Sequence, residues 1–161
     1  MNVTAEELAA IHQQAADEYP RESCGVIVVR GAERRLTRCR NIQDELHAKD
    51  PVRHPRDART AYYIDPQDLL RLGRLEAEGF LVKVIYHSHI DAGAYFSETD
   101  RRQALMGDEP VYPEAIYLVT SVLGAAGRPR VEATVGFAWD PARRDFAPVE
   151  LGAPVSEPYR Q

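Results

Sequence analysis

The spacing of apolar positions along the chain predicts an alternation of helices and short strands. Apolar residues three or four positions apart, bounded by Ser, Thr or Asp caps and by Pro or Gly, predict helices at residues 5–18, 66–78 and 97–106. Runs rich in β-branched and aromatic residues predict strands at residues 26–29, 34–40, 61–64, 81–89, 115–120, 131–139 and 146–151. Because the helices lie between strands, the pattern favours a mixed α/β domain with helices packed on a central sheet.

The remaining stretches predict the domain boundary and one long loop. We expect a single domain over residues 1–151 and a loose tail at residues 152–161. Residues 41–60, here called the flap segment, are polar with charges of both signs and predict a loop. Loops of this length in a compact domain are usually functional or disordered, and this one is a candidate cover for a substrate. His47 and His54 within it are expected to be solvated, since neither has a partner at ligand spacing.

Four potential functional side chains follow one another around the end of the 81–89 strand. His87 and His89 lie two positions apart, so both side chains face the same side of a strand. Ser97 is expected to cap the next helix, with Asp100 at the capping-box position three residues later. Two imidazole nitrogens and one carboxylate, with a fourth position left for water, are typical of a catalytic zinc site.

Glu22, shortly before the 26–29 strand, allows two interpretations. It is a solvated glutamate, as composition alone would favour, or a general base delivered to the edge of the zinc site. Ser88, between the two histidines, points to the opposite face of its strand and is expected to brace the local backbone.

Charge and composition narrow the classes of function. The chain of 161 residues has a net charge of −5 and no stripe of Lys and Arg, which gives no support for nucleic-acid binding. No apolar run approaches the roughly 18 residues of a membrane span, and residues 1–10 do not resemble a signal peptide, so we expect a cytoplasmic location. The two cysteines form no Cys-x-x-Cys pair; a turn at residues 31–32 would place Cys24 opposite Cys39 as two buried free thiols.

The chain resembles a known family at two separate places. The pattern His-x-His-x7-Ser-x-x-Asp at residues 87–100 is similar to the motif of the JAMM (MPN-plus) metallopeptidases, and Pro-Arg-Glu-Ser-Cys-Gly at residues 20–25 is similar to a segment of its prokaryotic, JAB-domain members. The resemblance covers roughly residues 4–150. It implies a cytidine-deaminase-like α-β-α sandwich with a mixed central sheet, and a zinc-dependent peptidase or isopeptidase.

The resemblance also implies roles and a substrate. His87, His89 and Asp100 would bind Zn²⁺, Glu22 would be the base, and Ser97 would stabilise the oxyanion. The partner would be a ubiquitin-like (β-grasp) or sulfur-carrier protein, cleaved after its C-terminal Gly-Gly.

Two departures from the family pattern keep alternatives open. The family usually has proline after the second histidine and often before the serine, where this chain has Ile90 and Phe96. Neither change removes a ligand, but a non-catalytic zinc-containing module that binds a β-grasp partner stays an alternative. A zinc nucleoside deaminase would need Pro-Cys-x-x-Cys, which the chain lacks. The last alternative is a metal-free pair of histidines at the end of a core strand.

Overall fold

The chain alternates helices and strands, as the hydrophobic pattern predicts. The computed structural model describes residues 3–151; the predicted tail at residues 152–161 lies outside the described residues. The elements in chain order are α1 (Ala5–Glu18), β1 (Cys24–Arg30), β2 (Glu33–Cys39), α2 (Gln43–Lys49), α3 (Pro66–Ala77), β3 (Leu81–Ile90), α4 (Glu98–Ala104), β4 (Leu105–Met106), β5 (Glu109–Pro110), β6 (Ile116–Leu123), β7 (Arg130–Asp140) and β8 (Asp145–Val149).

Six of the strands form one mixed sheet in the order β2-β1-β3-β6-β7-β8. β3 and β6 run parallel, whereas each of the other neighbouring pairs is antiparallel. The two central strands, β3 and β6, are buried along most of their length, as expected where a parallel pair is covered on both faces. β3 therefore carries its C-terminal histidines at the centre of the sheet.

Alternate side chains of the sheet enter two separate cores. On one face Ile27, Val84 and Leu118 pack with Ile11 of α1. On the other face the core includes Val26, Ile85, Leu72 of α3 and Ala104 of α4; it is completed by Val28, Phe80, Val82, Ala115, Tyr117, Val119 and Phe137. Helices thus cover both faces, and the predicted α-β-α sandwich with a mixed central sheet is confirmed.

The register between β1 and β3 aligns the two halves of the site. Cys24 pairs with His87, and the Ser88 amide donates to the Ser23 carbonyl at 3.0 Å, so the pairing reaches the residue next to Glu22. Gly25 pairs with Tyr86. A β-carbon added at Gly25 would lie only 2.1 Å from the hydroxyl oxygen of Tyr86. Only glycine fits there without displacing the ring.

The turn between β1 and β2 has the predicted register. Cys24 and Cys39 are Cα partners across the pair, and both are buried free thiols. The prediction that the two cysteines face each other is confirmed.

Local structure differs from the prediction in three places. The flap segment contains the seven-residue helix α2 rather than loop alone. Residues 61–64 form one isolated bridge, from Ile64 to Asn41, instead of a strand. The helix after Ser97 ends at Ala104, and residues 105–110 form the small β4–β5 hairpin. Among residues 3–151 no helix has the length and apolar character needed to cross a bilayer.

Candidate metal centre

β3 and α4 bring three potential ligands to one point. His87 and His89 share a face at the C-terminal end of β3, and Asp100 lies in the first turn of α4. The capping box predicted for this helix is present: the Asp100 amide donates to Ser97 Oγ at 3.1 Å, and the Ser97 amide donates to Asp100 Oδ2 at 2.9 Å. The cap therefore directs the carboxylate toward the histidines.

The ligand atoms lie close enough together to hold one ion: with one atom from each residue, they are within 4.8 Å of one another. The two histidines contact different oxygens of Asp100. His87 Nε2 lies 3.3 Å from His89 Nε2 and 3.1 Å from Asp100 Oδ1, and His89 Nε2 lies 3.2 Å from Asp100 Oδ2. In a tetrahedral zinc site with bonds of about 2.0–2.1 Å, ligand atoms are about 3.3–3.4 Å apart. All three residues are buried. His87, His89 and Asp100 thus form a buried group that can hold a metal ion, as predicted.

Neighbouring groups orient the two imidazole rings. His89 Nδ1 lies 2.9 Å from the Gly93 carbonyl oxygen, which only accepts, so this nitrogen carries a proton and Nε2 is the nitrogen that would bind a metal. The His87 ring stacks on Tyr62, with centroids 4.5 Å apart and planes 25° apart. His87 Nδ1 has no hydrogen-bond partner among the described residues. Tyr95 meets the His89 ring edge-on at 4.8 Å and is 55% exposed, on the solvent side of the site.

The charge of Asp100 suits a ligand. Burial alone would raise its pKa, but the charge of His87 and hydrogen bonds from His87, His89 and the Ser97 amide hold the pKa well below its usual range. The carboxylate is therefore ionised, as metal binding requires.

Glu22 lies beside this group and is not solvated. The side chain is 4% exposed, and Oε2 has no hydrogen-bond partner within residues 3–151. Burial, and next the negative charge of Asp100, raise the pKa of Glu22 to about 9. The interpretation of Glu22 as a solvated glutamate is therefore wrong. Its buried position near Asp100 agrees with the other interpretation, in which Glu22 lies at the edge of the metal group.

The remaining residues singled out in the sequence lie outside the centre. Ser88 Oγ accepts from the Ser23 amide at 2.7 Å on the opposite strand face, so it braces the backbone as predicted. His47 and His54 are half-buried instead of solvated, with His47 Nδ1 2.7 Å from the His54 carbonyl oxygen. Within the described residues, the group of three ligands above is the one that could hold a metal.

The loop between the second histidine and Ser97 accommodates both departures from the family pattern. Ile90 is buried at the end of β3. The Phe96 ring packs against Phe146, Phe137 and Tyr117, with centroid distances of 4.8, 5.4 and 5.4 Å. Both side chains thus contribute to packing, and neither belongs to the group of potential ligands.

Four residues of the site carry no sequence signal that could have identified them. Tyr62 stacks on His87, the Gly93 carbonyl orients His89, and Tyr95 contacts the His89 ring. Asn41 donates a hydrogen bond to the carbonyl oxygen of Glu22 at 2.9 Å. Each acts through a contact between segments that are far apart in sequence or lack regular secondary structure. Neither hydrophobic periodicity nor motif spacing predicts such contacts.

Comparisons with known proteins agree with this geometry. Residues 4–136 match the family described as prokaryotic homologs of the JAB domain. Over 94 residues, 58% of this chain, the sequence is 35% identical to the tail tip assembly protein K of Escherichia phage N15, and the match spans 32% of that protein.

Two solution structures are similar throughout most of their length. Protein DSY2949 from Desulfitobacterium hafniense has a TM-score of 0.59 and 20% identity, with 92% of this chain and 88% of that chain covered. A protein from Salinibacter ruber has a TM-score of 0.59 and 27% identity, with 98% and 94% covered. The first of these supports the fold alone, whereas the family match includes the ligand motif. This chain therefore belongs to the prokaryotic homologs of the JAB domain.

Proposed function

We propose that this chain is a zinc-dependent metallopeptidase that hydrolyses a peptide or isopeptide bond after the C-terminal Gly-Gly of a small ubiquitin-like (β-grasp) or sulfur-carrier protein. The observation that carries the proposal is the buried carboxyl of Glu22, whose Oε2 has no partner among residues 3–151, close to the group of three potential metal ligands. An unpaired buried carboxyl is costly, and such groups concentrate at functional sites.

His87 Nε2, His89 Nε2 and the Asp100 carboxylate are the residues that would hold the ion. Three protein ligands leave a fourth position open, which distinguishes a catalytic zinc site from a closed structural one. When bound, zinc supplies a Lewis acid that polarises a carbonyl oxygen and lowers the pKa of a water ligand.

Glu22 is the proton carrier in this proposal. Its carboxyl accepts the proton that water loses during attack on the scissile carbonyl and then gives it to the leaving amine. The pKa of about 9 applies to the site without an ion and makes the acid form accessible, which the second half of this transfer needs. A cation held beside Glu22 would lower this pKa and so make the carboxylate available to accept the proton in the first half. General acid–base catalysis of this kind contributes roughly 10²–10⁴-fold in rate.

Ser97 is the oxyanion donor in this proposal. Its Oγ accepts from the Asp100 amide, so its own O–H is left to donate to the developing negative charge on the substrate oxygen. A neutral donor suits this task beside a buried, ionised Asp100.

The substrate class follows from the family and from the exposed side of the site. A Gly-Gly tail carries no side chains, which suits an approach to buried ligands past the exposed ring of Tyr95. The phage relative is named for tail tip assembly, and its match spans too little of that protein to transfer a substrate.

Metal analysis together with three variants tests the proposal. The purified protein should hold about one zinc per chain. His87→Ala and Asp100→Ala should lose the metal, whereas Glu22→Gln should keep it and lose hydrolysis. Hydrolysis is followed by mass spectrometry on β-grasp proteins that carry a peptide after Gly-Gly. A wild type that holds no zinc under metal-replete, chelator-free conditions would contradict the proposal.

The non-catalytic alternative makes a different prediction for the same experiment. A wild type that holds zinc and binds a β-grasp protein, yet cleaves no tail, would favour a binding module. The retention of all three ligands and of Glu22 supports the enzyme.

A further inference from the structure

The side-chain amide of Asn41 makes four hydrogen bonds at the point where the flap segment begins. Nδ2 donates to the carbonyl oxygens of Glu22, at 2.9 Å, and Ala61, at 3.2 Å. Oδ1 accepts from the amides of Gln43 and Tyr63, each at 3.0 Å. An amide offers two donors and an acceptor with two lone pairs, so the hydrogen-bonding capacity of Asn41 is fully used.

One of these bonds fixes the backbone of Glu22. The Glu22 amide donates to the Ala58 carbonyl at 2.7 Å, and the Glu22 carbonyl accepts from Asn41. Both backbone polar groups of Glu22 are therefore bonded to residues 41–58. Because Glu22 Oε2 has no partner in the described part of the chain, these backbone bonds and side-chain packing determine where the carboxyl lies.

The other bonds fix the ring that stacks on a ligand. Tyr62 stands between Ala61 and Tyr63, and Asn41 bonds the backbone of both neighbours. The Tyr62 carbonyl also accepts a hydrogen bond from Gln103 Nε2 at 2.8 Å. The side chain of Tyr62 is thereby held against His87.

We infer that Asn41 is a positioning residue, which holds Glu22 and Tyr62 against the His87–His89–Asp100 group. The inference deepens the proposed function and rests on it for its catalytic consequence. Asn41 touches neither a ligand atom nor the reacting bond, and it acts through the two residues that it aligns. Supporting residues of this kind typically change activity or metal affinity by about 10–100-fold when they are replaced.

Asn41→Asp is the sharpest variant because it keeps the shape and the acceptor and removes the two donors. The new oxygen faces the carbonyl oxygens of Glu22 and Ala61, whereas Gln43 and Tyr63 keep their acceptor. Asn41→Ala removes all four hydrogen bonds without adding a charge. It serves as the test variant if Asn41→Asp does not fold. Thr4→Ala is the control: the Thr4 side chain accepts from the Glu7 amide at 3.1 Å and caps α1, which packs on the sheet face opposite α3 and α4.

The first measurement uses the metal-free protein and needs no activity. Proton NMR of the His87 ring reports the stacked Tyr62 ring. We expect both Asn41 variants to shift the His87 signals, and Thr4→Ala to leave them in place while it lowers stability through the lost helix cap. In Asn41→Ala, but not in Asn41→Asp, amide exchange at Gln43 and Tyr63 should rise about tenfold. Unmoved His87 signals in both Asn41 variants would overturn the inference.

The second measurement uses the zinc-loaded enzyme. Asn41→Asp should lower kcat by about 10–100-fold, with KM and the zinc content unchanged. In a Glu22→Gln background the same substitution should have a smaller effect on residual hydrolysis, because the part of its effect that passes through Glu22 is already lost. An undiminished loss in that background, or a wild-type kcat in Asn41→Asp, would refute the positioning role. If the wild type neither holds zinc nor cleaves, the proposed function fails, while the NMR result still tests the placement of Tyr62.

Discussion

Replacing Glu22 by glutamine should make the stability of the metal-free protein less dependent on pH. The pKa of Glu22 is raised from its ordinary value of 4.5 to about 9, first by burial and then by the charge of Asp100. Between these two values the folded protein holds a proton at Glu22 that the unfolded chain has released. The folded state is therefore destabilised as the pH rises through this window.

The size of the effect follows from the width of that window. Each pH unit between the two pKa values changes the free energy of unfolding by about 1.4 kcal/mol. From pH 5 to pH 8 the wild type should lose up to about 4 kcal/mol through Glu22, and Glu22→Gln should not lose it. Asp100 adds no slope in this range, because its lowered pKa leaves it ionised in both the folded and the unfolded chain.

Urea unfolding at several pH values, with a chelator present, measures this difference. The free energy of unfolding of Glu22→Gln minus that of the wild type should increase steadily from pH 5 to pH 8. Glu33→Gln is the control: hydrogen bonds from Arg35 and Arg30 lower the pKa of this exposed carboxyl, so it contributes no slope above pH 5. A difference between Glu22→Gln and the wild type that stays constant with pH would show that Glu22 is ionised at neutral pH, and the argument from burial would be refuted.

Two further predictions concern Ser97 and the flap segment. Ser97→Ala should lower kcat by about 10²–10³-fold through the lost oxyanion donor, and lower stability by about 1 kcal/mol through the lost helix cap. Calorimetry with steady-state kinetics separates the two, and a stability loss without a loss in kcat would remove Ser97 from the mechanism. Deleting residues 51–53, where Val52 is 91% exposed, should raise KM for a protein substrate more than for a short peptide. Equal changes in the two KM values would argue against a covering role for the flap segment.

The ligands could be predicted from the sequence because their geometry is local. His87 and His89 share a strand face at a spacing of two, and the capping box fixes Asp100 relative to Ser97 over a single turn. Glu22 needed the family resemblance, because its approach to Asp100 depends on the pairing of β1 with β3. The contact between Cys24 and Cys39 followed from the two-residue turn alone.

What the sequence did not predict depends on contacts between segments. Helix α2 has no side-chain cap at Ile42 and only seven residues, so it shows neither a start signal nor a clear period. Residues 61–64 have the composition of a strand. The Asn41 side chain nevertheless accepts a hydrogen bond from the Tyr63 amide and donates one to the Ala61 carbonyl, so it makes the bonds that a neighbouring strand would otherwise make. Hydrogen bonds from one side chain do not change the hydrophobic pattern, so the pattern could not predict them.

The hydrogen bonds of Asn41 also bear on how the flap segment could change during evolution. β2 ends at Cys39, and the stretch that follows is closed by a hydrogen bond from the Asp65 amide to the Arg40 carbonyl at 2.9 Å. With both ends joined in this way, doubling the length of the intervening loop costs only about 0.6 kcal/mol in closure entropy. Insertions at the exposed residues 51–53 are therefore thermodynamically cheap, and they leave in place the contacts that Asn41, Ala58 and Tyr62 make with Glu22 and His87. One framework could thus gain new surface beside the metal group by lengthening a single exposed stretch.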